Sequence, residues 1–290
     1  MSVDGEFRDV ITAQTTTATR RFAVAWRNTR TRSISPVAVL DFGGGLHRFW
    51  YRRDCGGVQD FKPFLGFDDS ARVYESGKLF PFFAVRVMDR RRPDFASYVH
   101  SLGLGTDASQ LDILSRSGGQ RKGDTVQVME IPLVRGGLSQ CTFLVRGMRY
   151  ATESFLSAET ADRLGAGCEL SLLPDRTNSV NPSALLIATE DGLALGWVPD
   201  LLVDYAHLLV RKGTATLRVV RNNGRDVPWH LRLLVRLQGS VPDDYRAFDD
   251  LAWAPPAVAS AGSIACSAPD AAAETSGFAT SVRRAAMPAR

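Results

Sequence analysis

Hydrophobic residues in this chain fall into short, mostly alternating runs separated by glycine, proline and small polar segments. That is a pattern of strands and short helices rather than of long helices. A polar, threonine-rich stretch over residues 1–20 predicts a flexible arm. RFAVAWR at 21–27 then opens the ordered part, and PVAVLDF (36–42) and LHRFWY (46–51) predict two strands joined by Gly43-Gly44-Gly45. Residues 61–91 are dense in phenylalanine but broken by proline and glycine, which predicts irregular structure on aromatic anchors. A helix is predicted to begin in FPFFAVRVM (80–88); Pro93-Asp94-Phe95 fits a helix start, which FASYVHSLGL continues to a stop at Gly103, and ASQLDILSRSGG (108–119) predicts a second short helix. TVQVMEIPLV (125–134) reads as a strand, and RGGLSQ (135–140) as a domain boundary.

The second half carries CTFLVRGMRYA (141–151), CELSLLP (168–174), SALLIAT (183–189), LALGWVP (193–199), TATLRVVRNN (214–223) and WHLRLLVRLQG (229–239) as six predicted strands. SAETADRLGAG (157–167) predicts a helix, with Ser154 and Ser157 as cap candidates. Leu201, Leu202, Tyr205, Leu208 and Leu209 have the spacing of a second, amphipathic helix. SALLIAT and LALGWVP form a hairpin across Asp191-Gly192. Six short strands and two helices within about a hundred residues predict a small, partly open barrel. The chain therefore divides into an arm (1–20), an α+β domain (21–135), a mainly β barrel (138–242) and a mostly disordered tail (243–290), the last because large apolar residues are sparse from Ala254 onward. One feature of the barrel is out of character: PDRTNSVNPS (174–183) introduces a core hairpin with residues that cannot pack.

Charge adds a direction. The net charge is +4, and residues 1–140 hold 20 basic and 15 acidic side chains, so the excess lies in the first half. This permits contact with a polyanion without requiring it. Cys55, Cys141, Cys168 and Cys266 show no C-x-x-C spacing, and four scattered histidines form no ligand pair, so neither a zinc site nor another cofactor is expected. Free thiols fit a reducing, cytoplasmic setting. The N-terminus lacks an apolar signal region and no apolar run approaches 18 residues, so no membrane association is expected.

Four motifs in register over about residues 141–240 carry a family likeness: Gly147-Met148-Arg149-Tyr150, the strand Gly167 to Leu172, the loop Asn178-Ser179-Val180-Asn181-Pro182-Ser183-Ala184, and Gly196-Trp197-Val198-Pro199. Together they resemble the HIRAN domain. The resemblance implies an OB-like barrel that binds DNA, single-stranded ends in particular, and makes the polar loop a ligand surface. It departs from the family pattern at Asn181, where the family has an acid, and at Ser183 and Val180. The implied site comprises Arg149 for phosphate, Tyr150 and Trp197 as flat faces, and Arg176, Asn178 and Asn181 from the loop, with Trp229 as a further possible platform. The bland alternative for Asn178 and Asn181 is an Asx-turn that merely closes the loop.

Residues 22–132 carry a second, mostly fold-bearing likeness in Phe49-Trp50-Tyr51, Pro81-Phe82-Phe83, Leu102-Gly103-Leu104 and Gly118-Gly119. These resemble the N-terminal subdomain of HipA-type toxin kinases. The catalytic motifs of such a kinase are absent, and no Walker A pattern occurs. The expected function is a non-catalytic nucleic-acid-binding module for single-stranded DNA or DNA ends. The alternative is a protein-interaction or antitoxin-like regulator docking a separately encoded kinase or helicase-like ATPase. A zinc-dependent hydrolase, as in helicase-linked HIRAN proteins, ranks third.

Overall fold

Strand β1 (Arg20–Arg27) shows how the molecule is organised. Its side chains alternate: Phe22 and Val24 enter one core cluster, Ala23 and Ala25 another. A strand buried on both faces needs something packed on each side. The computed structural model describes residues 19–121, 123–151, 164–242 and 244–256. Within these, β2 (Ile34–Gly43), β3 (Leu46–Tyr51), β4 (Tyr74–Ser76) and β5 (Val126–Glu130) join β1 in an antiparallel sheet of order β4-β3-β2-β1-β5. On one face lies an aromatic cluster of Phe49, Tyr51, Phe64, Phe67 and Phe83, fed by the irregular phenylalanine-rich segment and by helix α1 (Pro81–Ala84). Helices α2 (Phe95–Ser101) and α3 (Gln110–Ser117) follow. A reciprocal Ser109–Asp112 capping box starts α3, with the Asp112 amide donating to Ser109 Oγ at 3.2 Å and the Ser109 amide to Asp112 Oδ2 at 2.8 Å.

The other face of this sheet packs on the second half of the chain. There β6 (Leu133–Arg135), β7 (Leu138–Leu144), β8 (Glu169–Pro174), β9 (Leu185–Ala188), β10 (Ala194–Trp197), β11 (Thr216–Asn222) and β12 (Leu233–Ser240) form an antiparallel sheet of order β10-β9-β8-β11-β12-β7-β6. The described residues are thus mainly β: two curled antiparallel sheets with few helices. Helix α4 (Met148–Ala151) follows β7, and α5 (Val203–Arg211) follows β10 through a 3-10 turn at Asp200–Leu202. No described helix is long and apolar enough to cross a membrane.

Several sequence expectations change. Gly136-Gly137, read as a domain boundary, is the two-residue turn of the β6–β7 hairpin, with φ of 54° and 71°. Two successive left-handed residues are what such a turn requires, and glycine adopts them without penalty. Among the described residues the barrel consequently gains β6 and has seven strands where six were expected. One core cluster joins Ala23, Ala25, Val39, Trp50 and Met129 of the first sheet to Leu185, Leu195, Leu217 and Val235 of the second. Residues 245–253, expected in the tail, also pack: Trp253 is buried, Trp50 Nε1 donates to its carbonyl at 2.9 Å, and the Arg52 guanidinium lies 4.2 Å from its ring centre. Trp229–Leu231 forms a 3-10 turn ahead of β12 rather than the strand's start. The helix expected over 157–167 falls largely outside the described residues, as do the arm to residue 18 and the chain beyond 256.

Candidate nucleic-acid interface

The site forms where the seven-stranded sheet meets itself. Past the end of β7, Arg146 pairs with Trp197 at the end of β10: the Arg146 amide donates to the Trp197 carbonyl at 2.9 Å, and the Trp197 amide to the Arg146 carbonyl at 2.8 Å. This bridge closes the half-barrel along a seam. Two glycines make the approach possible. A Cβ on Gly147 would sit 2.6 Å from Trp197 Cε3, and one on Gly196 would collide with the Arg146 carbonyl.

Gly147 also takes a left-handed conformation, φ 67°, which turns the chain out of the strand. The strand predicted through 141–151 therefore stops at Leu144, and Arg149 and Tyr150 stand on the short α4 turn. Buried Met148 anchors that turn, while Arg149 and Tyr150 are exposed, Tyr150 by 66%. The Arg149 guanidinium lies 4.5 Å from the Tyr150 ring centre, a cation–π arrangement that presents charge and flat surface together.

The polar loop is stitched to the seam by Asp175, which the sequence reading passed over. Its Oδ1 accepts from the Thr177 amide at 3.1 Å and hydroxyl at 2.7 Å; its Oδ2 accepts from the Trp197 indole at 2.9 Å. These donors hold the Asp175 carboxyl below the usual carboxylate range, the Thr177 bond first and the Trp197 bond second. Asn178 Oδ1 accepts from the amides of Val180 and Asn181 at 3.1 and 3.0 Å, and Asn181 Oδ1 from the Ser183 amide at 3.0 Å. This is the Asx-turn alternative in its full form. Asn181 also donates its amide to Asp200 Oδ1 at 2.7 Å. Both carboxamides are thus engaged in shaping the loop, whereas Arg176, next to Asp175, is exposed.

Trp197 is half-buried, its indole edge bonded and its six-membered ring packed against Gly147. Trp229 carries the Arg232 guanidinium 3.6 Å from its ring centre, so one face is already covered. The seam brings Arg149, Tyr150, Trp197, Asp175 and Arg176 into one neighbourhood. Arg146, also unforeseen, adds charge behind them: its Nη1 donates to Gln120 Oε1 at 2.7 Å. Burial pushes the Arg146 guanidinium down to about 10, against the raising field of Asp200, so it is cationic at neutral pH. Asn181 lines a cavity of about 640 Å³ together with Asp200, Asp204, Asp249, Asp250, Arg52 and Arg246. With carboxylates outnumbering arginines, that cavity does not suit a phosphate.

No family model matches this chain, and no curated protein matches it. Two solved structures are similar to part of it. A protein from Lactobacillus plantarum aligns at 19% identity over 38% of this chain and 93% of its own, with a TM-score of 0.27. The HIRAN domain of human HLTF aligns at 17% identity over 37% of this chain and 84% of its own, also with a TM-score of 0.27.

Proposed function

We propose that this chain is a non-catalytic nucleic-acid-binding module that holds single-stranded DNA, or a DNA end, along the barrel seam. The observation that carries this reading is the α4 turn: an anchored, exposed Arg149–Tyr150 pair beside Trp197 and the Asp175–Arg176 loop. Arg149 supplies charge-assisted contact to a phosphate, with Arg176 as a second contact. Tyr150 supplies a face for one base, worth about 1–3 kcal/mol. The asparagines support the loop rather than reading an end, because their acceptors are engaged within it. Any preference for a free end then falls to Tyr150 and to loop backbone groups.

Fluorescence anisotropy with single-stranded, double-stranded and end-blocked oligonucleotides across a salt series tests the proposal. Arg149→Ala should weaken all single strands alike and lower the salt slope by about 0.7, the single-strand value for one lost phosphate contact. Tyr150→Ala should weaken single strands at every salt concentration while leaving the slope unchanged. Single-strand binding indifferent to both substitutions would refute the reading.

A second reading is favoured by the acidic, aromatic cavity beside Asn181, which fits a basic protein segment better than a nucleic acid. Docking of a separately encoded kinase or helicase-like ATPase would use it. The likeness of residues 22–132 to the N-terminal subdomain of HipA-type kinases belongs with this second reading. A binding site for such a partner would be lost on Asp204→Lys with oligonucleotide binding intact.

A further inference from the structure

The outer face of the second sheet carries an arrangement that folding alone does not favour. Phe143, Leu217, Val219, Val235 and Leu237 point into the barrel core, so the alternate residues of β7, β11 and β12 face outward. At one end of that outer face Leu144 and Leu234 are covered by α2 and α3. Two residues further along, the register sets Glu169, Arg218, Arg236 and Thr142 side by side across four strands. Arg218 and Arg236 are direct cross-strand partners, and like charges in that position destabilise a sheet. Arg116 of α3 adds a third guanidinium, largely buried, which feels the attraction of Glu130 and, after it, the repulsion of Arg236 and Arg20.

The neighbouring carboxylates are each bonded to another arginine, although the fields of Glu130 and Asp112 also reach Arg116. Glu130 receives Arg20 through both oxygens, at 2.7 and 3.0 Å, and Asp112 receives Arg20 at 2.7 Å. Glu169 pairs with Arg218 at 3.6 Å. Neither Arg116 nor Arg236 lies within ion-pair distance of a described carboxylate, and Arg236 Nε is buried with no hydrogen-bond partner among the described residues. Arg116, Gln140 and Thr142 line a cavity of about 80 Å³ between α3 and the sheet, together with Glu130 and the apolar Met129, Ile131 and Leu133.

We propose that this sheet face, with Arg116 and Arg236 at its centre, is a second nucleic-acid surface that takes the phosphodiester backbone of a duplex. The neighbours of the two arginines decide for a duplex over a single strand. Thr142, Gln140, Gln238 and Thr216 surround them on the same face, with no aromatic ring among them. Single-strand surfaces use rings to stack bases, whereas a duplex keeps its bases inside and offers phosphates. The proposal rests on the nucleic-acid reading above and extends it: the seam holds the single strand or end, and the sheet face holds adjoining duplex.

A relaxed, covalently closed circular duplex has neither ends nor single strands, so it probes this face alone. The full chain should retard it in a gel, with binding that falls steeply with salt. The double variant R116Q/R236Q should lower the salt slope by about 1.8, for two lost phosphate contacts, and leave single-strand binding as in wild type. R116K/R236K, which keeps the charge, should retain the circle. Arg149→Ala should show the opposite split, so the seam and the sheet face can fail separately. The Gln variants should melt at or above the wild-type temperature, because they relieve like-charge contact. A circle that wild type does not bind, or that R116Q/R236Q binds with unchanged slope, overturns the proposal. So does a lowered melting temperature, which would assign these arginines to the fold.

Discussion

Replacing Gly147 with alanine perturbs the seam at its narrowest point. The new Cβ would lie 2.6 Å from Cε3 and 2.9 Å from Cζ3 of Trp197, closer than carbon atoms pack. The ring cannot simply swing aside, because its backbone is held by the Arg146 bridge and its indole by Asp175. Two costs combine. A non-glycine residue at φ 67° loses about 1–2 kcal/mol to left-handed strain. Forcing extra volume into a packed contact costs about 1–3 kcal/mol. Together they give about 2–5 kcal/mol, a large share of a typical domain's stability of about 5–15 kcal/mol. Urea unfolding, followed by tryptophan fluorescence and by circular dichroism, measures the loss. Gly165→Ala is the matched control: its Cβ would meet nothing within 4 Å and no left-handed φ is required, so it should stay within about 0.5 kcal/mol of wild type. A Gly147→Ala variant as stable as the control, with unaltered tryptophan emission, would refute the account of a closed seam.

Other outcomes follow from the same structure. Trp253→Ala should destabilise the protein by about 3–5 kcal/mol, although the residue lies where the sequence suggested a tail; a melt unchanged from wild type would show that residues 245–253 do not belong to the core. A fragment spanning 138–242 lacks Trp50, Met129 and Trp253, which complete its core cluster, and should show no cooperative melt; a sharp transition would establish the barrel as an independent unit. Ser109→Ala should cost about 0.5–2 kcal/mol by removing the α3 cap, measured by thermal unfolding, with no change in oligonucleotide binding. Asp175 is held ionised below the usual carboxylate range, so its contribution is complete above the unfolded-state value and is lost as pH falls through the depressed folded value. An acid titration of Trp197 fluorescence should show that step, and Asp175→Asn should abolish it.

Much of this architecture was legible from local pattern. Alternation of apolar residues located most of the strands but not β4, Gly43-Gly44-Gly45 marked the β2–β3 hairpin, and glycines 103 and 118 the helix stops, because each depends on interactions within a few residues. The motif at 147–150 points to Arg149 and Tyr150 as candidates within a strand, whereas the fold sets them, exposed, on the α4 turn, and the Asx-turn is the alternative that the spacing of Asn178 and Asn181 offered. Other features depend on residues far apart in the chain. Nothing near Gly136-Gly137 distinguishes a linker from a hairpin; the difference lies in β7 having β12 as its other partner. The pairing of Arg146 with Trp197 closes a barrel across fifty residues, and only then do Gly147 and Gly196 become positions without room for a side chain. Arg116 and Arg236 are 120 residues apart and look like ordinary surface charges until sheet register and helix packing set them together. Local sequence determines which backbone shape each segment favours; tertiary structure decides which charges and rings become neighbours, because electrostatic and steric energies depend on distance in space and not along the chain.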